Sequence, residues 1–271
     1  MSEFDKLLIL GHTGFIGGAL YRYFAEKDTT PVLGHSSSTV DLRSPHSLER
    51  LGPIVTPKTA LILASAVTRE KNDTLEAFQA NVAMVTHLAQ FLERVPVGLC
   101  VYFSSISVYG DSQTDLSIHE ETRVDPDSLY ALAKYVGEFI LRDVAERKRF
   151  RLLTLRAAHV YGPGDTHATY GPMQFIRSLM DERNLYLFGD GEELRDRLYI
   201  HDLVYLTDCL MSGGASGLYN LVTGESHSFR EIADYLSQIA PFNFRIIHRP
   251  RKKLLIRPAL GSIERRVRGR S

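Results

Sequence analysis

Tyr130-Ala131-Leu132-Ala133-Lys134 sets a phenol and an ammonium one helical turn apart, and residues four apart in a helix share a face. An ammonium beside a phenol favours the phenolate, which makes the pair a usable acid and base near neutrality. An exposed pair on an amphipathic helix is the plain alternative, and the surrounding pattern argues against it. The helix expected over 128–147 has its main apolar stripe at Leu132, Val136, Phe139, Ile140 and Val144. At about 100° per residue, Tyr130 and Lys134 lie roughly 200° from Leu132, on another face. That face continues with Gly137 and Leu141, where the glycine allows close contact with something else. Ser105 stands at the end of the preceding apolar strand, and its hydroxyl can donate to a reacting oxygen. Together the three groups suit proton movement at an alcohol or carbonyl oxygen.

The element that must supply the other half stands near the N-terminus. Leu7-Leu8-Ile9-Leu10 reads as a buried strand and runs into Gly11-His12-Thr13-Gly14-Phe15-Ile16-Gly17. Ile16, Leu20, Tyr23 and Phe24 follow at helical spacing. Strand, glycine turn and helix open a dinucleotide-binding βαβ unit. The turn demands unusual backbone angles, and a diphosphate must approach the main chain with no Cβ in the way. The N–H groups at the helix start then face the phosphates. A nicotinamide dinucleotide held there would move a hydride while Ser105, Tyr130 and Lys134 handle the proton.

These residues need elements to carry them. A second strand over 30–34 ends in His35-Ser36-Ser37-Ser38, where NAD-binding folds place an acid for the ribose hydroxyls. Serines can accept a 2′-phosphate instead, so NAD and NADP both stand. Val40-Asp41-Leu42-Arg43 resembles a brief third strand, with a helix over 45–51. The strand over 59–66 ends in Ala64-Ser65-Ala66, whose small side chains leave ligand space at a carboxyl end. A helix over 73–94 carries the stripe Phe78, Val82, Val85, Ala89 and Leu92. Asn81 shares that face, either tying down a neighbouring backbone or standing at the stripe's edge. The strands over 99–103 and 151–156 flank the Tyr–Lys helix.

From Tyr161-Gly162-Pro163-Gly164 the pattern loosens. Helices are expected over 172–182, 203–211 and 229–239, and strands over 185–188, 198–200, 217–221 and 244–247. Asp202 reads as a helix N-cap, and Ser228 with Glu231 as a capping box. The alternation predicts an α/β fold: a Rossmann-type doubly wound parallel sheet with a smaller interleaved C-terminal substrate lobe. Residues 1–165 form the dinucleotide domain on this reading. Residues 166–271 form mainly the substrate lobe, with about 196–222 returning to the first domain.

The bulk properties exclude several classes. No apolar run approaches ~18 residues, so no membrane span is expected. The first strand starts within a few residues and leaves no room for a signal peptide. Cys100 and Cys209 sit in apolar segments and read as buried reduced thiols, which suits a cytoplasmic protein. No cysteine–histidine spacing suggests a metal. Net charge is zero, but residues 249–271 hold nine Lys or Arg against Glu264 alone. This argues against a general nucleic-acid binder and leaves a local anion site or a solvated tail.

Nine motifs, in order and in register over roughly residues 5–250, resemble the extended short-chain dehydrogenases/reductases, in the group of nucleotide-sugar epimerases, dehydratases and ketoreductases. They are Gly11-x-x-Gly14-x-x-Gly17, Asp41-Leu42, Ala64-Ser65-Ala66, Asn81, Ser104-Ser105-Ile106-Ser107-Val108-Tyr109-Gly110, Tyr130-x-x-x-Lys134, Arg156 with Val160-Tyr161-Gly162-Pro163-Gly164, Gly189-Asp190-Gly191 with Arg195-Asp196, and Tyr199-Ile200-His201-Asp202. The resemblance implies that Gly11, Gly14, Gly17, Phe15 and Ile16 hold the cofactor diphosphate. Asp41 and Leu42 flank the adenine, and Ala64 and Ala66 line the nicotinamide ribose. Thr13, Ser65, Asn81, Ser104, Ala158 and Val160 complete the implied cofactor site. Tyr130 is the implied acid/base, Lys134 binds the ribose and tunes Tyr130, and Ser105 contacts the substrate oxygen. Ser105, Ser107, His159 and Arg195 make up the implied substrate side; Arg69, by its place after Ala64-Ser65-Ala66, either faces the substrate or stands in solvent, and His167 and Tyr170 lie in a loop that could cover the site. The group commonly dimerises through the Tyr–Lys helix and its neighbour. The stripes at Leu132, Val136, Phe139, Ile140 and over 78–92 are compatible with such a homodimer, although intramolecular burial explains them equally well.

Departures from the group narrow the chemistry. Ile106-Ser107 stands where related dehydratases carry Asp-Glu and decarboxylases a glutamate, and no cysteine lies in this loop. Oxidation or reduction of an alcohol remains, with or without epimerisation. His159 stands where many sugar-nucleotide enzymes have Asn. The main reading is an NAD(P)-dependent oxidoreductase or epimerase acting on a nucleotide-activated sugar. The alternatives are a reductase of a small non-nucleotide carbonyl compound and a non-catalytic dinucleotide-binding regulatory protein.

Overall fold

A computed structural model of the chain describes residues 3–68, 73–111, 117–165 and 171–250. Arg69, His167, Tyr170 and the basic stretch after Pro250 lie outside the described residues.

The chain alternates β1 (Lys6–Leu10), α1 (Phe15–Lys27), β2 (Val32–His35), α2 (Pro45–Leu48), β3 (Thr59–Leu63), α3 (Leu75–Arg94), β4 (Leu99–Ser105), α4 (Leu129–Lys148) and β5 (Arg151–Ala157). Then come β6 (His159–Tyr161), α5 (Pro172–Glu182), β7 (Asn184–Phe188), β8 (Leu194–Tyr199), α6 (Ile200–Ser212), β9 (Gly217–Leu221), β10 (Ser226–Ser228), α7 (Phe229–Ile239) and β11 (Arg245–Arg249). Six strands form one parallel sheet in the order β2-β1-β3-β4-β5-β9. The order reverses between β1 and β3, and ligands in such sheets sit outside the carboxyl ends at that reversal.

Both sheet faces are covered, which is why β3 and β4 are buried along their whole length. Leu7, Ile9, Ile62, Val101 and Leu155 point to one side, into a core shared with Leu20 and Phe24 of α1 and Leu203 and Met211 of α6. Leu8, Leu10, Leu61, Leu63 and Tyr102 point to the other, against Leu88 and Phe91 of α3 and Leu141 and Val144 of α4. Full burial of each such side chain contributes about 1.5–3 kcal/mol. A smaller lobe has its own core of Phe175, Leu179, Leu185, Leu187, Phe229 and Ala233. It carries the parallel pair β7–β11 and the small sheet β10-β8-β6. The segment between β8 and β10 returns to the large domain: α6 packs on its core and β9 pairs with β5.

Several sequence expectations are corrected. Residues 40–43 form turns instead of a strand: Val40 N–H donates to Ser36 O at 2.8 Å and Ser44 N–H to Asp41 O at 3.0 Å. Helix α6 begins at Ile200, so Asp202 lies exposed inside its first turn and is not the N-cap, a position held by Tyr199. Cys209 is exposed, while Cys100 is buried, its thiol pushed up to about 12 by burial. On α3, Phe78 and Val82 are only partly covered; Ala77, Asn81, Met84, Leu88 and Phe91 join Val85, Ala89 and Leu92 in burial.

The largest correction concerns α4. Its sheet-facing side is Ala131, Ala133, Lys134, Gly137, Glu138, Leu141, Val144 and Ala145. Of the stripe read from sequence only Val144 is buried, and Phe139 is 60% exposed. Small side chains and the alkyl stem of a lysine let the helix lie close to β4, whereas bulky residues would hold it off. The capping box at Ser228 and Glu231 is formed, with Glu231 N–H donating to Ser228 Oγ at 3.0 Å.

Candidate functional site

The glycine turn joins β1 to α1. Gly11 has φ +96°, and a Cβ on Gly17 would strike the Gly11 carbonyl, so helix and turn close up only without side chains. Gly14 is the N-cap of α1 and supplies no capping side chain. The helix N-terminus therefore presents its dipole at the carboxyl ends of β1 and β3, an arrangement that fits a diphosphate. Thr13 and Gly14 are exposed there, and Phe15 and Ile16 are partly buried.

Beyond β3, Ala64, Ser65 and Ala66 are half-buried, and Ser65 Oγ lies against Gly11. Asn81 reaches over from α3 to fix this segment: its Oδ1 accepts from Val67 N–H at 2.8 Å and its Nδ2 donates to Val67 O at 2.9 Å. Of its two sequence readings, the structure selects the backbone tie. Leu42 is buried. The Asp41 carboxylate is taken by Arg43, whose Nε and Nη2 donate at 3.0 and 2.9 Å, and Arg43 holds it below the usual carboxylate range. At the end of β2, His35 meets His12 of the glycine turn, a pairing that sequence reading passed over. The His12 ring lies over Gly34, 5.4 Å from the Tyr21 ring, and His35 Nδ1 shares a hydrogen bond with Thr39 Oγ1 at 3.2 Å. Burial, with His12 adding to it, lowers the His35 pKa.

The carboxyl end of β4 completes the site. Ser105 is the N-cap of a short 3-10 turn (Ile106–Tyr109), and its Oγ accepts from Ser107 N–H at 3.1 Å, which keeps its own proton for another acceptor. Ser107 itself is buried. Lys134 projects from α4 onto the same strand and donates from Nζ to the Phe103 carbonyl at 2.7 Å. Its Nζ is 5.8 Å from the Tyr130 ring centroid and 5.2 Å from that of Tyr102. Burial lowers the Lys134 ammonium to about 8, against the opposing pull of Glu138. Ser128 caps α4 through Ala131 N–H, and Asp73 Oδ1 accepts from Tyr130 N–H at 3.0 Å, which fixes the turn that bears the phenol.

Behind these groups lies a buried polar network that sequence reasoning missed. Glu138 Oε1 accepts from Ser104 Oγ at 2.5 Å and from Arg156 Nε at 2.9 Å, and Oε2 accepts from Arg156 Nη2 at 2.7 Å. The Arg156 guanidinium lies 4.8 Å over the Tyr109 ring, and the Tyr109 hydroxyl donates to Asn220 Oδ1 at 2.9 Å. Glu138 stands four residues after Lys134, and that spacing was the available signal.

The implied residues thus divide. Gly11 to Gly17, Ala64 to Ala66, Ser105, Tyr130 and Lys134 gather at the carboxyl ends of three adjacent strands, β1, β3 and β4. Ala158 is buried and donates from N–H to Leu221 O at 2.9 Å, with Val160 partly covered and His159 exposed on β6. Two of the implied residues have charged partners within the protein. The Ser104 hydroxyl donates to Glu138 Oε1. Arg195 is 7% exposed and ion-paired with Glu193 inside the small lobe, because a buried cation requires a counter-charge.

Comparison with known proteins agrees with this fold. Residues 7–221 match the NAD dependent epimerase/dehydratase family. The chain is 30% identical to the GDP-6-deoxy-D-mannose reductase of Pseudomonas aeruginosa, over 98% of this chain and 88% of that one. It is 28% identical to the dTDP-4-dehydro-6-deoxyglucose reductase of Escherichia coli, over 85% and 80% of the two chains. Among solved structures, RMD from Pseudomonas aeruginosa complexed with NADPH superposes with a TM-score of 0.83 at 26% identity, covering 96% of this chain and 90% of that one.

Proposed function

Since the chain belongs to the NAD-dependent epimerase/dehydratase family, we propose that it is an NAD(P)-dependent ketoreductase of a nucleotide-activated sugar. The observation that carries the reading is the buried Lys134 beside Tyr130, at the strand end that bears Ser105. The glycine cradle, which a Cβ at Gly17 would fill, fits the cofactor diphosphate. When bound there, the dinucleotide supplies a hydride to the carbonyl carbon. Tyr130 gives its proton to the carbonyl oxygen, and Ser105 donates a hydrogen bond to the same oxygen. Lys134 keeps a positive charge beside the phenol and so stabilises the phenolate left behind. Ala64 and Ala66 leave room for the nicotinamide ribose, and His159, exposed on β6, is assigned to the substrate side on this reading.

Two observations favour NADPH and net reduction. Strand β2 ends without an acid, and the Asp41 carboxylate after it is engaged by Arg43. The two curated relatives named above are both reductases. The enzyme works as a homodimer in the cytoplasm on this reading; among the described residues no helix is long and apolar enough to cross a membrane. The test is to supply GDP- and dTDP-4-keto-6-deoxyhexoses with NADPH or NADH and follow absorbance at the reduced nicotinamide band. Stoichiometric NADPH oxidation is expected. Tightly copurifying NAD, with interconversion of two sugar epimers and no net cofactor use, would make the protein an epimerase instead.

A further inference from the structure

Two side chains of α4, one turn apart, grip two consecutive residues of β4. Lys134 takes the Phe103 carbonyl, and Glu138 takes the Ser104 hydroxyl. The next residue along the strand is Ser105. We propose that Glu138 is a positioning residue: its carboxylate, locked by Arg156 and Ser104, supplies the fixed negative charge that keeps Lys134 charged and seated at the end of β4. The inference rests on the ketoreductase reading for its consequence in turnover, and is independent of that reading for the state of the lysine.

Glu138 is a costly residue to place here. It is 8% exposed on a face packed against the sheet, and a buried carboxylate is tolerated only when paired and hydrogen-bonded. The bidentate Arg156 contact and the Ser104 hydroxyl meet that need. Arg156 fixes where the carboxylate stands by holding both of its oxygens. Side chains four apart on a helix have Cβ atoms roughly 6 Å apart, and in a medium this dry a charge at that range is weakly screened. Burial opposes the ammonium, and Glu138 is the charge that offsets it.

The other groups that face this lysine do not supply the same charge. On β4, Tyr102 keeps its proton, since burial raises its phenol well above the ordinary value, and its hydroxyl donates to the Lys134 carbonyl at 3.2 Å. On α4, Tyr130 faces it from the turn before. Ahead of α3, Asp73 accepts from the Tyr130 N–H. Within α3, Glu76 interacts with Thr74, His87 bonds the Leu42 carbonyl, and Glu93 pairs with Arg147 far along α4.

The decisive experiment follows the ε-carbon resonance of Lys134 through a pH titration of the full chain, labelled with ¹³C-lysine and assigned with a Lys134→Arg variant. In Glu138→Gln, which keeps the shape and removes the charge, the midpoint is expected to fall by about one on the pH scale; in Glu138→Asp it should stay near the wild type. An unmoved midpoint in Glu138→Gln overturns the proposal. If Glu138→Gln does not fold because Arg156 loses its counter-charge, the neutral pair Glu138→Gln with Arg156→Gln is titrated against Arg156→Gln alone; the midpoint is expected to be lower in the double variant, and equal midpoints overturn the proposal. In turnover assays the alkaline limb of kcat should move down with the lysine midpoint, while Glu138→Asp restores it. A uniform loss of kcat at every pH, with the limb unmoved, would reduce Glu138 to a structural role and also overturn the proposal. A chain that turns over no nucleotide sugar at all would defeat the proposed function, yet leave the resonance titration able to decide this one.

Discussion

Gly137 of α4 lies directly against the Tyr102 hydroxyl of β4, with no space for a Cβ between them. The same hydroxyl donates to the Lys134 carbonyl at 3.2 Å, so the glycine sets how closely the helix approaches the strand. Lys134 can reach the Phe103 carbonyl at 2.7 Å only from that distance. Gly137→Ala is expected to force helix and strand apart and cost about 1–3 kcal/mol. Thermal unfolding should show the loss, and activity measured well below the new Tm should fall too. An alanine variant with wild-type stability and turnover would disconnect this contact from the site.

Tyr130→Phe removes the proposed proton donor and leaves the ring in place. Turnover is expected to drop roughly 10²- to 10⁴-fold. Calorimetric titration with NADPH should give a Kd within a few-fold of the wild type, because the glycine cradle is untouched. Retained turnover would show that another group delivers the proton.

On the proposed reading Lys134 also links catalysis and stability to pH. Burial lowers its pKa to about 8 from an ordinary 10.5. Activity should therefore decline as pH rises past about 8 and the lysine loses its charge. Its effect on stability has the opposite sign to that of a salt-bridged lysine. The buried charge opposes folding in full below about 8, and the penalty fades as pH climbs toward the unfolded value. Lys134→Met should thus be most favourable to Tm, relative to wild type, at pH 7, with the difference shrinking by pH 10. Parallel Tm-against-pH curves would contradict the assignment.

The exposed stripe on α4 has a separate use. Phe139 is 60% exposed and Leu132 39%, a costly display for a monomer. Phe139→Asp is expected to leave the fold intact and shift light-scattering mass from dimer to monomer. A wild-type chain that is monomeric at high concentration would remove the basis for a homodimer on this face.

The capping box of α7 belongs to the small lobe, apart from the carboxyl ends of β1, β3 and β4. Ser228→Ala should cost about 1 kcal/mol, lowering Tm by a few degrees without changing kcat.

The alternating apolar runs made the parallel sheet readable from sequence, because a strand buried on both faces has little choice of composition. The α7 cap was readable for a similar reason: Ser228 and Glu231 act on backbone three residues away. The α4 packing face was not. Stripe counting ranks side chains by hydrophobicity, whereas the sheet selected the closest-approaching face, with Ala131, Ala133, Gly137 and a buried lysine. For Arg195 and Ser104 the internal partners were what went unread. Each stands in a motif, yet its direction is set by a partner far off or unremarked in sequence, Glu193 for one and Glu138 for the other. Glu138 itself went unread because a carboxylate on a helix is ordinarily solvated, and only its pairing with Arg156 of β5 makes it internal.

The return of β9 to the edge of β5 has a consequence for how the molecule is made. Leu153 and Leu155 of β5 are fully buried, and β9 pairs alongside them through residues 217–221, after the whole of α5, β7, β8 and α6 has intervened. A nascent chain must therefore hold β5 as an open, apolar edge until some sixty further residues have left the ribosome, and pairing across such a separation is slow. Unguarded edges of this kind recruit other chains. The step most exposed to aggregation is thus the interval between synthesis of β5 and arrival of β9, and the small lobe, inserted between them, is what lengthens it.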